Sequence, residues 1–231
     1  FADKLSIPTS LCFAGGGLIV HQAPHTLFLE DTDGDDRADV RRVLFSGWST
    51  GDTHAGPSNM RWGFDNWVWG IVGYSGFNGR IGKEQHRFST GFYRFRPDGS
   101  GGEFIRNTNN NSWGVGFSEE GAVFGSTANR NPSVYMPIAN RYYEAVRGWS
   151  SSRLGMTSQT ARFYPITPNV RQVDQHDNFT AGAGHALYTA RSYPKHYWNR
   201  AAFVNGPTGH LVATFLIESI GSDYLTRNSW N

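Results

Sequence analysis

A single cysteine stands among the 231 residues, so no disulfide can form within the chain and cysteine usage leaves the redox compartment open. Cys12 lies between Leu11 and Phe13 in an apolar stretch, which reads as a small core hydrophobe rather than a nucleophile. Charge is scarce as well: 17% of residues are charged, the net charge is +2, and acids and bases are interspersed. Without a Lys/Arg-rich block there is no electrostatic basis for binding nucleic acid or a membrane surface. No apolar run approaches the length of a membrane span. Long amphipathic helices are missing too, and Tyr142 to Arg147 is the best candidate for a short one. A G-x-S-x-G nucleophile elbow, a phosphate-binding Gly loop with Lys and a CxxCH haem motif are all absent. The chain opens at Phe1 without a signal peptide, so it is expected to be processed or part of a longer polypeptide.

What is abundant is glycine, at 28 residues, and aromatics, at 15%. That composition favours many short strands and an all-β fold. Three segments share an aromatic anchor, a four-residue turn and three apolar residues: Phe13-AGGG-Leu18-Ile19-Val20, Trp62-GFDN-Trp67-Val68-Trp69 and Phe117-SEEG-Ala122-Val123-Phe124. They recur about every 50 residues, the length of one four-stranded blade, and predict a β-propeller. A fourth copy, Phe203 to Val212, has a longer turn. The expectation is one partial propeller domain over residues 1–231. It would hold about four blades of a larger ring, with an insertion or long loops around 131–180.

Two stretches carry chemistry. In HTLFLEDTDGDDRADVRRV, apolar alternation runs into and out of an acidic hairpin tip. Asp31, Asp33, Asp35 and Asp39 occupy loop positions one, three, five and nine, which suits a hard cation such as Ca²⁺. Against an EF-hand stand Asp36, where the turn glycine is usual, and Arg42, where a bidentate Glu is usual. The competing reading is a solvated acidic turn. In GDTHAGPSNMRWGFDNWVWGIVG, His54 sits on a Gly/Pro-rich loop ahead of an aromatic strand-turn-strand unit. An imidazole there is either a general base or a turn residue next to a strand. Trp48, Trp67, Trp69 and Trp113 are either blade-core residues at period two or faces for stacking on a sugar or quinone. His176, Asp177 and His185 fall in a polar, glycine-rich stretch and read mainly as solvated loop residues. Glu119 and Glu120 sit on a hairpin turn, which argues against a glycosidase pair.

From DTDGDDRADV through GDTHAGPSNMRWGFDNWVWG the chain resembles the bacterial membrane-bound dehydrogenase domain of the PVC type. That family's pattern pairs a DtDGDGkAD-like loop with a GdTHqgpnnfrWGpDG-like block. The later YPKHYWNRAAFVNGPTGHLV is more loosely similar to the same family. Its members often continue into a CxxCH haem-binding module, which would lie outside these residues or on a partner. More distantly, the order of histidine, Gly-containing loop and hairpin resembles the soluble quinoprotein sugar dehydrogenases. These are six-bladed propellers that use pyrroloquinoline quinone and calcium.

The resemblance implies that His54 is the base taking the hydroxyl proton, and that Arg106 and Asn107 contact the quinone. A second such pair, Arg130-Asn131, follows, and the intervening TNNN departs from the pattern. It further implies a periplasmic or extracellular enzyme, associated with the membrane through other regions, that oxidises a sugar or polyol alcohol. Electrons would pass to the quinone and to a c-type haem on another domain or a cytochrome c subunit. The alternative is a non-catalytic, calcium-stabilised propeller serving as a binding or scaffold module, because propellers host many unrelated functions.

Overall fold

The computed structural model describes residues 1–150, 153–162, 164–165 and 178–229. The chain is all-β, with four antiparallel sheets among the described residues, and falls into two compact units, residues 1–105 and 106–231. Among the described residues no helix is long and apolar enough to cross a membrane.

Unit 1 begins with a meander of β1 (Ser10–Ala14), β2 (Gly17–Gln22), β3 (His25–Glu30) and β4 (Val40–Trp48). Each strand pairs antiparallel with the next. The β1–β2 turn is Gly15-Gly16, both at positive φ (57° and 85°), as a tight primed turn requires. The acidic stretch is the tip of the β3–β4 hairpin, closed by the pair Glu30–Val40. The second sheet contains β5 (Pro57–Trp62), β6 (Val68–Val72), β9 (Gly91–Phe95) and β10 (Gly102–Asn107), in the order β10-β9-β6-β5. Between β6 and β9 the chain makes a hairpin, β7 (Phe77–Ile81) and β8 (Glu84–Phe88). That hairpin joins the first sheet through β4, making it six-stranded.

The first strands of the two sheets lie side by side. Met60 N donates to Ser10 Oγ (2.8 Å) and Trp62 Nε1 donates to the Phe13 carbonyl (2.8 Å). Each of the first three repeated segments is thus the first hairpin of a sheet, the third of them in unit 2.

The core of unit 1 gathers Cys12, Ile19, Phe28, Phe45, Trp48, Met60, Phe77, Tyr93 and Phe95. Trp48 is at its centre, with ring centroids 4.7 Å from Phe77, 4.9 Å from Tyr93 and 5.3 Å from His21. Its indole N–H would be costly to bury without an acceptor, and it donates to Thr26 Oγ1 (2.9 Å). Thr26 Oγ1 also pairs with His21 Nδ1 (2.9 Å), and His21 Nε2 with Tyr93 Oη (2.8 Å). Trp48 and Trp69 are core residues, and Trp67 is half-buried beneath Arg94 and Arg96, whose Cζ atoms lie 4.8 and 4.1 Å from its ring centroid. Burial likewise raises the Cys12 thiol pKa.

Unit 2 holds a three-stranded sheet of β11 (Ser112–Phe117), β12 (Val123–Thr127) and β13 (Val134–Met136). A full four-stranded meander follows: β14 (Ala183–Leu187), β15 (Ala201–Gly206), β16 (Leu211–Ile220) and β17 (Asp223–Asn228). The fourth repeated segment is therefore the second hairpin of its sheet, β15–β16, rather than the first. The predicted short helix is α1, Asn140–Glu144, two residues ahead of its expected start. β11 runs so close to β14 that a Cβ at Gly116 would overlap the His185 carbonyl, and one at Gly114 would overlap Gly184.

Burial pushes the His21 pKa down from 6.5 to about 3. The unfolded chain therefore binds a proton that the folded unit refuses between these two values. Stability contributed by neutral His21 is complete above pH 6.5 and drains away as pH falls toward 3. The full loss is on the order of 5 kcal/mol. Urea unfolding followed by near-UV circular dichroism should show the midpoint falling across that range. A His21→Gln variant, less stable throughout, should show a flatter pH slope.

Candidate functional site

The loop between β4 and β5 presents His54. Asp52 Oδ1 accepts the His54 backbone N–H (2.7 Å), and its Oδ2 accepts the Tyr74 hydroxyl (2.7 Å). The Ser75 hydroxyl donates to the Asp52 carbonyl (3.3 Å) and Ser75 N to the Ala55 carbonyl (3.3 Å). These contacts fasten the loop to the segment after β6, while the His54 side chain is 89% exposed.

His54 Nδ1 lies 3.5 Å from Asp52 Oδ1 and 3.4 Å from Thr53 Oγ1. The Tyr74 hydroxyl, foremost, and the His54 N–H hold Asp52 below the usual carboxylate range. The same hydrogen bond raises the Tyr74 phenol above its ordinary pKa. An ionised carboxylate thus stands beside Nδ1 of the imidazole. Sequence reading found His54 and missed Asp52 and Tyr74. Asp52 stands two residues before the histidine, the offset of an Asx turn, whereas Tyr74 lies across a whole hairpin.

The acidic tip brings three of its four carboxylates together. Ligand oxygens of Asp31, Asp33 and Asp39 lie within 4.8 Å of one another, and Asp35 is outside the group. The loop is folded by its own aspartates. Asp31 accepts the N–H groups of Gly34 (2.7 Å) and Asp36 (2.9 Å), and Asp39 accepts Thr32 N and Oγ1, both at 2.8 Å. Asp36, at the turn-glycine position, adopts φ 65°, and Gly34 adopts φ 82°. Backbone N–H donation, above all from Gly34, lowers the Asp31 pKa. The carboxylate is therefore in the charged form that a hard cation requires.

Near the end of β10, where unit 2 begins, Arg106 is only 3% exposed. Its guanidinium packs over the Tyr143 ring of α1, Cζ 4.4 Å from the centroid, and among the described residues Nε and Nη1 have no acceptor. Asn107 Oδ1 accepts Asn140 Nδ2 (2.6 Å), and the Asn107 carbonyl accepts Leu154 N (3.2 Å). A buried guanidinium with unspent donors fits an oxygen-rich, anionic group. In the second pair, Asn131 is buried with neither side-chain atom satisfied among the described residues, and Arg130 is exposed at φ 56°. His176 and Asp177 lie outside the described residues. His185 is no solvated loop residue: it sits in β14, fully buried, stacked on Phe124 (5.7 Å, 7°) and paired with Ser133 Oγ (3.0 Å).

The sheets are those of an all-β, propeller-type fold. The chain belongs to a family described as a domain of unknown function, DUF7133, whose model it matches over residues 1–231. No curated protein matches it by sequence. Among solved structures it is similar to the PQQ-bound form of an aldose sugar dehydrogenase from Streptomyces coelicolor, at 13% identity and a TM-score of 0.53. That match covers 90% of this chain and 61% of the other, so the chain spans about three-fifths of that enzyme's length. A structure titled glucose dehydrogenase matches at 14% identity and a TM-score of 0.48, covering 97% and 87% of the two chains. At 13% identity the likeness to the aldose sugar dehydrogenase is one of fold.

The Asp52 brace makes one prediction. Replacing Tyr74 by Phe removes the principal cause of the low Asp52 pKa, which should rise toward the ordinary carboxylate value. The His54 amide should then exchange with solvent about fivefold faster, as expected when a net hydrogen-bond contribution of about 1 kcal/mol is lost. Hydrogen exchange followed by NMR reads this directly.

Proposed function

We propose that this chain is the propeller portion of an extracytoplasmic dehydrogenase that oxidises a sugar or polyol alcohol. The observation that carries the reading is His54: an exposed imidazole on a braced loop, with an ionised carboxylate at Nδ1. Fold likeness to a PQQ-bound aldose sugar dehydrogenase supports it. Alcohol oxidation requires a base for the hydroxyl proton and a group that accepts hydride, because side chains cannot perform the redox step.

In this reading Nε2 of His54 accepts the hydroxyl proton, and Asp52 holds the ring and balances the imidazolium charge. Tyr74 fixes Asp52. Arg106, whose buried Nε and Nη1 lack acceptors among the described residues, and Asn107 would hold a pyrroloquinoline quinone, which when bound supplies the hydride acceptor. Electrons leave for a c-type haem on another domain or a cytochrome c partner. Asp31, Asp33 and Asp39, with Asp35 at the loop flank, would bind Ca²⁺ in a structural role, pinning the β3–β4 hairpin. The enzyme would work in the periplasm or outside the cell.

The test is an assay of the protein supplied with pyrroloquinoline quinone, Ca²⁺, a panel of sugars and polyols, and an artificial electron acceptor. His54→Ala should lower kcat roughly 10²- to 10⁴-fold, the usual worth of a general base. Its melting temperature should change little, because the side chain is 89% exposed. No turnover in wild-type protein, together with no quinone uptake, would transfer the chain to the class of binding or scaffold modules.

Calcium is checked separately by thermal melting. At a hundredfold excess over Kd it should stabilise unit 1 by about 2.7 kcal/mol. Asp31→Asn should abolish that gain, and Asp35→Asn should weaken it less, since Asp35 stands outside the cluster.

A further inference from the structure

Unit 2 carries a cleft of about 490 Å³ that none of the residues discussed so far for catalysis lines. That volume is in the range of small-molecule sites. Its walls come from the β11–β12 turn, the segment before β15, and the β16–β17 hairpin. They combine the aromatic rings of Trp198 and Tyr224 with Glu120, Asn199, Arg200 and Glu218.

The polar groups are fixed in advance. Asn199 adopts φ 53°, a left-handed conformation tolerated best by Asn, Asp and Gly. Its Nδ2 reaches both Glu120 oxygens at 2.7 Å, and its Oδ1 accepts Glu119 N at 2.8 Å. The amide thereby locks the turn against the opposite wall and lowers the Glu120 pKa. Across the cleft, Arg200 Nη2 donates to Glu218 Oε1 (3.0 Å), and Arg227 pairs with the same oxygen. Arg191 clamps Glu119 with two hydrogen bonds (2.7 and 2.9 Å) and lies over one side of Trp198, Cζ 5.1 Å from the ring centroid. Trp198 Nε1 donates to the Tyr193 carbonyl (2.6 Å), which sets the plane of the indole.

Two features define what such a cleft takes. Its carboxylates are compensated, Glu218 by arginines and Glu120 by an amide, so no strong field selects a charged ligand. Each carboxylate still has lone pairs to spare, since an ionised carboxylate offers about four acceptor sites. Rigid acceptors and donors on both sides of immobilised aromatic rings match a molecule with apolar C–H faces and a rim of hydroxyls. We propose that this cleft is a binding site for a neutral saccharide, separate from the chemistry assigned to His54 and independent of it.

The test uses the whole chain without added quinone, with glucose and cellobiose as probes and glucuronate as the anionic control. Saturation-transfer NMR and tryptophan fluorescence read binding. The neutral sugars should bind, and changing NaCl from about 0.05 to 0.5 M should leave affinity unchanged, as expected for an uncharged ligand. Glu120→Ala, on an exposed turn, should weaken binding about tenfold, the worth of one or two hydrogen bonds to a charged group. Trp198→Ala should abolish both binding and the fluorescence response. Because Trp198 also orders its own segment, circular dichroism must confirm that this variant is folded, and Glu120→Ala serves as the independent probe.

His54→Ala should bind the sugars as the wild type does, even if the enzyme proves inactive on every substrate. Three results would each overturn the proposal: no binding of either neutral sugar, binding untouched by Glu120→Ala and Trp198→Ala, or a salt-dependent preference for glucuronate.

Discussion

The first unit depends on one buried polar chain: Trp48 to Thr26, Thr26 to His21, His21 to Tyr93. Four strands, β2, β3, β4 and β9, each contribute one member. In a dry environment each of these groups needs its partner, so the chain fixes strand register in a way that aromatic packing alone would not. A slip of β3 by one residue would turn Thr26 to the other face and strand both an indole N–H and an imidazole nitrogen. The aromatic rings around Trp48 then pack against a centre whose position is already defined. What the loop after β4 displays, including His54, inherits that rigidity, because the loop begins directly after Trp48.

The two chemically suggestive loops of this unit are built alike. In each, an aspartate side chain folds its own backbone: Asp52 around His54, and Asp31 around Gly34 and Asp36. The same hydrogen bonds that shape the loop keep the carboxylate ionised. One local device thus produces both the geometry of a site and its charge state. In the second unit the corresponding resource is a buried cation, Arg106, whose donors exceed the acceptors around it. Native proteins satisfy nearly all such groups, so the surplus donors of Arg106 among the described residues mark it as unusual.

Much of the fold was legible because it is written in local signals. The repeated anchor-turn-apolar pattern marked three first hairpins, Gly15-Gly16 marked the turn of one of them, and the acidic tip marked the β3–β4 turn. His54 was legible for the same reason, since a histidine flanked by Gly and Pro announces a loop. What escaped was everything that depends on distant pairing. The β7–β8 hairpin leaves its neighbours in sequence and joins β4, and no periodicity encodes that choice of partner. Tyr74 belongs to the His54 loop only through a hairpin's return. His185 looked like part of a polar, glycine-rich loop, yet it lies on a strand whose backbone passes close to Gly116, and its side chain is buried against Phe124 and Ser133. The cleft around Trp198 was equally invisible, being assembled from three separated segments.

The excursion of β7 and β8 has a consequence for how the first unit is reached during folding. β6 and β9 are neighbours in the second sheet but are separated in the chain by a hairpin belonging to the first. Forming the β7–β8 hairpin shortens the effective loop between them, lowering the entropy that closing β6 onto β9 must overcome. If the hairpin also docks on β4, the partner strands of the second sheet are held near one another before they pair. Neither sheet is then a self-sufficient step: the first supplies the platform on which the second closes. The two would fold and unfold as one cooperative body, although each has the outline of a separate repeat.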